Sequence, residues 1–128
     1  MRRTFLAITF ALFTPAAADA QIWRVVDGDT IELNGETVRI ANIDTPEIKH
    51  AQCDAERRLG RVAKAELDKI LARGEITLVR GDPQTGRKTD KYGRTLGVVS
   101  VDGLDVGEEL VARQLARRWT GKRTPWCD

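Results

Sequence analysis

Asn34-Gly35 stands between two short β-rich runs, Thr30–Leu33 and Glu36–Ile43. Two residues able to take positive φ, flanked by alternating apolar positions, are the strongest short-range signal for a β-hairpin. Ile22–Val26 is a third apolar run, joined to Thr30–Leu33 by the turn Asp27-Gly28-Asp29. The segment 22–43 therefore predicts a three-stranded meander. From residue 54 the period changes. Leu59, Val62, Ala63, Leu67, Ile70 and Leu71 recur at helical spacing, which predicts a helix over 54–73 with Asp54 as its cap and Gly74 at its end. Two more strands follow, Glu75–Arg80 and Leu96–Val101, separated by a polar Gly/Pro/Asp/Lys-rich loop at 81–91. Asp105-Val106-Gly107-Glu108 opens a second helix running to about Arg118, with Val106, Leu110, Val111 and Leu115 inward. The order βββ-α-ββ-α is α+β, with the strand count and helix position of a five-stranded OB-fold barrel, an architecture that commonly binds nucleic acid or oligosaccharide.

The first twenty residues stand apart. Met1-Arg2-Arg3 is basic, Phe5–Phe13 is apolar apart from Thr9, and Ala18-Asp19-Ala20 is a small-residue site. This pattern reads as a signal peptide over 1–20 cleaved after Ala20, leaving a single domain over 21–128. The h-region is too short to span a bilayer, so no membrane anchor is expected after cleavage. The alternative is a buried N-terminal helix. Arg2-Arg3 is a weak pointer to twin-arginine export. Export to the periplasm or the medium is the corresponding expectation. Cys53 and Cys127 then read as one disulfide in an oxidising compartment, the alternative being two separate thiols. Without residues 1–20 the chain keeps 19 basic and 18 acidic residues, a formal +1. That excludes binding nucleic acid through bulk charge; any such contact must come from local placement.

Three polar clusters sit at strand ends: Asp27-Gly28-Asp29-Thr30, Arg39 with Asp44-Thr45-Pro46-Glu47, and Asp90-Lys91-Tyr92-Gly93-Arg94. Each alone reads as a turn or a solvated loop. Together they supply two hard oxygen ligands for Ca²⁺ or Mg²⁺, Asp29 and Asp44, and a nearby carboxylate, Glu47, free to act on water. They also supply two planar guanidiniums, Arg39 and Arg94, suited to a phosphate. That set meets the needs of phosphodiester hydrolysis. His50 reads as a surface residue, and Trp23 and Trp126 as packing residues.

These segments resemble the staphylococcal (micrococcal) nuclease family in order and spacing. So does the helix around Glu109-Leu110-Val111 and Gln114-Leu115-Ala116. The likeness covers roughly residues 22–118. It implies an OB-fold barrel and Ca²⁺-dependent cleavage of DNA and RNA, single-stranded or frayed. By resemblance, Asp29, Asp44 and the Thr45 carbonyl are metal ligands, Glu47 is the general base, and Arg39 and Arg94 bind phosphate. Asp27 stands behind the metal, and Lys91 and Tyr92 touch a substrate phosphate. The family's base-stacking tyrosine falls near Thr120, with Trp119 beside it, which leaves the stacking role of Trp119 open. The prototype's third, C-terminal helix has no counterpart here. No stable protein partner is expected, and the expected state is a monomer. The competing reading is a catalytically silent nuclease-like module that binds nucleic acid or protein, typically lacking one of these acids or arginines. A calcium-stabilised structural domain would not require Arg39 and Arg94.

Overall fold

The computed structural model describes residues 10–15 and 20–128. The signal-peptide reading therefore falls largely on residues outside those described. Among the described residues no helix is long and apolar enough to cross a membrane.

The meander forms as the hairpin signal predicts. β1 (Trp23–Asp27), β2 (Thr30–Leu33) and β3 (Glu36–Ile40) pair antiparallel in sequence. Asn34 and Gly35 take φ of 49° and 83°, and Leu33 faces Glu36 across them, so the connection is a two-residue turn with both centres left-handed. The third run does not continue to Ile43: it breaks after Ile40, and Ile43–Asp44 forms the separate β4. Helix α1 follows (Asp54–Leu71), then β5 (Ile76–Arg80) and β6 (Thr95–Val101). The sheet order is β1-β2-β3-β6-β5, with β3 and β6 parallel. A two-residue β7 (Leu104–Asp105) adds to β6. The five long strands and two helices make the expected α+β, OB-like arrangement. Before β1, the Gln21 side chain accepts from Ile76 N–H at 2.8 Å and donates to Ile76 C=O at 2.7 Å, joining the chain entering one edge strand to the other edge strand.

Ile31, Val38, Ile40, Val99 and Ile43 are fully buried under α1, which contributes Ala63, Leu67, Ile70 and Leu71. Val62 does not join them; it is 51% exposed. At 3.6 residues per turn it sits roughly a third of a turn off that stripe. Cys53, not Asp54, is the N-cap of α1, and Ala72 is its C-cap.

Helix α2 (Val106–Ala112) is shorter than its apolar spacing predicts. Asp105 caps it by accepting from Gly107 and Glu108 N–H at 2.8 and 3.2 Å. At the other end Leu115 N–H reaches Leu110 C=O and Gln114 N–H reaches Val111 C=O, with Gln114 at φ 61°. That is a Schellman termination with Gln in the place usually taken by Gly. Leu115 and Ala116 are still buried, and Arg117–Arg118 becomes β8, pairing antiparallel with β4. The i+4 spacing of Val111 and Leu115 signals the burial of Leu115 correctly, but the chain meets it by a turn and a short strand.

Glu36 ties β3 to the far strands. Its carboxylate accepts from Arg80 Nη1 and Thr95 Oγ1, and from Arg80 Nη2 at 2.7 Å. These bonds, the Arg80 one foremost, hold its carboxyl down at about 2 from an ordinary 4.5. A depressed folded-state value gives stability that is present above pH 4.5 and fades as pH falls toward 2. Glu36→Gln should therefore be less stable than wild type at pH 7, with the gap closing by pH 2. Urea midpoints at the two pH values check this; a gap that stays constant would mean the group contributes no pH dependence.

Candidate active site

Strand pairing gathers the polar clusters. Thr30 pairs with Arg39 across β2 and β3, and the parallel β3–β6 register sets Val38 beside Thr95. Arg39 and Arg94 thus emerge at the same end of the barrel as the Asp29 turn. The Asp44–Glu47 corner reaches that end because α1 lets it lie close. A Cβ on Gly60 would stand 2.7 Å from Pro46 O and 2.8 Å from Glu47 O. Backbone at that distance cannot swing aside as a flexible side chain can. Gly60→Ala would gain up to about 1 kcal/mol of helix propensity, but overpacking costs about 1–3 kcal/mol. The clash wins, so the variant is expected to unfold at lower urea. A stabilised variant would mean the corner does not rest on this glycine.

Asp27, Asp29, Arg39, Asp44, Glu47, His50, Lys91, Tyr92, Arg94, Trp119 and Arg123 line one cleft of about 640 Å³. Asp29 and Asp44 are nearly buried, at 8% and 6% exposure. Asp29 Oδ2 accepts from Thr45 N–H at 3.3 Å and lies 3.4 Å from Arg39 Nη2. Its Oδ1 accepts from Thr30 Oγ1 at 3.1 Å. Thr45 itself lies beneath the cleft, buried. Arg39 is oriented by donating from Nη1 to the carbonyls of Ile40 and, at 2.9 Å, Ile43. Arg94 donates from Nε to Asp90 at 2.6 Å and approaches Thr30 Oγ1 at 3.5 Å. Asp90 also accepts the N–H of Tyr92 and of Arg94, so the tip of this loop is built around one carboxylate. Burial opposes charge on Asp90, but the Arg94 side-chain hydrogen bond, the Arg94 and Tyr92 N–H bonds and the Arg94 charge together outweigh it and hold the carboxyl below its usual range. Lys91 Nζ and Arg94 Cζ stand 5.1 and 5.4 Å from the Tyr92 ring centre. Lys91, Tyr92, Arg94 and Trp119 also line an adjoining cavity of about 370 Å³ that reaches Ala41 and Leu96.

Two of the acids in the cleft, Asp27 and Asp44, have their charge disfavoured. Burial raises the Asp27 carboxyl, with Asp29 and then Glu47 adding to it. Burial likewise raises Asp44, opposed first by Arg123 and then by the Trp126 hydrogen bond, while the charge of Asp29 adds to the rise. Two facing, desolvated carboxylates beside a buried Thr45 form an all-oxygen donor set whose mutual repulsion a divalent cation would offset. That chemistry fits a hard cation completing its shell with water, and it does not fit zinc. Among the described residues no group of three or more His, Cys, Asp or Glu surrounds a common point, so the protein would contribute few side chains to such a shell.

Three residues enter the site that the sequence reading did not place there. Trp126, read as packing, donates from Nε1 to Asp44 Oδ2 at 3.2 Å. Arg123 donates to Glu47 Oε1 at 2.6 Å and to Glu56 Oε1 at 3.0 Å. Glu56, 3% exposed, also accepts from the N–H of Glu47 at 3.3 Å and of Gln52 at 2.7 Å. Burial opposes its charge, but these donors outweigh it and hold the carboxyl below its usual range. Cys53 and Cys127 are bonded, with Cα atoms 6.2 Å apart. That pairing is the signal that would have found the other residues, since it draws the tail onto the start of α1 and the adjoining corner. His50, read as a surface residue, is exposed and lies on the cleft wall.

An OB-like barrel with carboxylates and guanidiniums gathered at one end of its sheet defines the class of this domain. Residues 37–125 match the family described as Staphylococcal nuclease homologue. The chain belongs to the staphylococcal nuclease family. It is 38% identical over 103 residues to the SPbeta prophage-derived endonuclease YokF of Bacillus subtilis (strain 168), a match covering 77% of this chain and 33% of that protein. It is 38% identical over 98 residues to Endonuclease YncB of the same organism, covering 73% and 44%. To a Micrococcal nuclease of Shigella flexneri it is 34% identical over 105 residues, covering 77% and 53%. The matches thus span a third to about half of these relatives' length.

Proposed function

We propose that this protein is an exported, Ca²⁺-dependent nuclease that hydrolyses phosphodiester bonds of DNA and RNA, with single-stranded or frayed substrate preferred. The observation that carries the reading is the convergence of Asp29, Asp44, Glu47, Arg39 and Arg94 on one open cleft. Family membership and endonuclease-named relatives support it. Asp29, Asp44 and the Thr45 carbonyl would hold the ion. Calcium bound there supplies positive charge against the pentacovalent phosphate. Arg39 and Arg94 donate N–H to its non-bridging oxygens, and both are aimed beforehand by fixed acceptors, so little reorganisation is needed. Glu47 takes the proton of the attacking water. Contacts of this kind address phosphate rather than base, which suits both DNA and RNA. Tyr92 and Trp119, beside the cleft, are the candidates for stacking an unpaired base. The leader pattern and the Cys53–Cys127 bond support export to the periplasm or medium. A monomer without a stable protein partner suffices, since one chain supplies every group named.

The test is incubation of the purified protein with single-stranded DNA in Ca²⁺, then with a chelator. Cleavage in Ca²⁺ that stops on chelation is the expected result. No cleavage in any divalent cation would reject the nuclease reading. Full cleavage in Mg²⁺ alone, with no gain from Ca²⁺, would reject calcium as its metal.

A further inference from the structure

The segment after β8 forms a strap across the cleft's edge, and its course is fixed at both ends. Trp119 N–H donates to Asn42 C=O at 2.9 Å. Arg117 donates to the carbonyls of Thr124 and Pro125 at 3.0 and 2.9 Å, and its guanidinium lies 3.8 Å from the Trp126 ring centre. Trp126 bonds Asp44, and Cys127 is bonded to Cys53. Between these anchors the strap delivers one guanidinium, that of Arg123, into hydrogen bonds with two carboxylates at once, and its Nη1 also stands 4.0 Å from Asp44 Oδ1. One of them, Glu56, is buried and already held by two backbone N–H groups. It therefore acts as the fixed end of the bridge. The other, Glu47, is the residue proposed to receive a proton.

We infer that Arg123 is a positioning residue for Glu47, supplied by the disulfide-anchored strap. The inference rests on the nuclease reading. Arg123 Nη1 holds Glu47 Oε1, while Oε2 has no protein donor among the described residues. Glu56 thus sets the corner twice, through the backbone N–H of Glu47 and through Arg123. The Arg123–Glu47 pair is too exposed to serve mainly as a staple, with side-chain exposures of 39% and 28%. Pairs of that kind contribute little stability. A bridging guanidinium instead removes rotational freedom from a reacting carboxylate, where small misplacements are costly in rate. It also brings positive charge to a cleft that presents four carboxylates to a polyanion.

The experiment compares wild type, Arg123→Ala, Arg123→Lys and Lys122→Ala in single-turnover cleavage of a short single-stranded oligonucleotide in Ca²⁺. Binding of the same oligonucleotide is measured with chelator present. Arg123→Ala should lower kcat on the order of 10- to 100-fold, the usual cost of losing a group that orients a reacting one. KM and chelator-state binding should move less than about threefold. Arg123→Lys, able to reach one carboxylate, should recover part of kcat, and free guanidinium ion should partly rescue Arg123→Ala. Lys122→Ala removes the same charge from the strap and should leave kcat within about threefold. Urea unfolding reports whether each variant is folded; if Arg123→Ala is not, the lysine variant's kcat loss decides. An unchanged or raised kcat would overturn the inference, the latter marking Arg123 as a block on Glu47. A loss confined to KM, or shared by Lys122→Ala, would overturn it too. Wild type inactive in every cation would reject the nuclease reading itself, and this inference with it.

Discussion

Arg94→Ala and Glu47→Gln should each lower single-turnover cleavage on the order of 10²–10³-fold, about 3–4 kcal/mol, while binding the oligonucleotide nearly as well as wild type. The asymmetry follows from where charge develops. Arg94 is aimed at the cleft by its Nε bond to Asp90, so its remaining N–H groups are placed before the phosphate gains charge. Glu47→Gln keeps the shape of the side chain and removes the base. Neither change should unfold the protein. Arg94 ends an exposed loop whose turn survives on the Tyr92 and Arg94 backbone bonds to Asp90. Glu47 lies on a corner supported through its backbone by Glu56. Cleavage rates, binding with chelator, and urea midpoints separate the effects. Equal cleavage by folded wild type and Arg94→Ala would place the chemistry elsewhere or trace the activity to a contaminant.

The features legible in the chain are those fixed by short-range chemistry. Asn34-Gly35 takes left-handed backbone at low cost, so it specifies a hairpin whatever surrounds it. Ile43-Asp44-Thr45-Pro46-Glu47 carries the proposed ligand, the turn and the proposed base within five residues, and the resemblance assigns those roles. Misreadings arise where tertiary packing overrides local pattern. Leu115 keeps helical spacing from Val111, yet the chain leaves the helix at Gln114 so that Arg117–Arg118 can pair with Ile43–Asp44. Val62 looks like part of the apolar stripe until the stripe's centre is known. Glu56 and Arg123 are 67 residues apart, and no periodicity links them. Only the cysteine pairing could bring them together, and pairing alone does not tell which tail side chain turns inward. The proposed metal corner is therefore readable from a motif, whereas the groups that support it depend on the folded chain.

Replacing both cysteines by serine should be the most destabilising change outside the core, because the bond spans 74 positions. Loop-closure entropy for a span of that size sets an upper figure of about 4 kcal/mol, and any native strain lowers it. For a domain of this size that upper figure corresponds to a fall in Tm of up to roughly 15–20 °C. Core substitutions would rival it, but a surface ion pair such as Arg123 with Glu47 would not. The loss should also be unequal across the molecule. The barrel and α1 keep their buried contacts, whereas the strap keeps no covalent tie and is held by polar contacts of Arg117, Trp119, Arg123 and Trp126. Hydrogen exchange should then rise most over residues 120–128 and around Cys53, with the β-meander nearly unchanged. Melting of the oxidised protein, the reduced protein and the double-serine variant tests the first claim, and intact mass of the non-reduced protein reports whether the bond is present. Equal Tm for all three would mean the bond constrains little. A double-serine variant, measured well below its Tm, that still cleaved at the wild-type rate would separate the strap's stability role from any part it plays in holding Glu47. If its kcat fell with that of Arg123→Ala, the disulfide would be acting on the reaction through the one guanidinium it anchors.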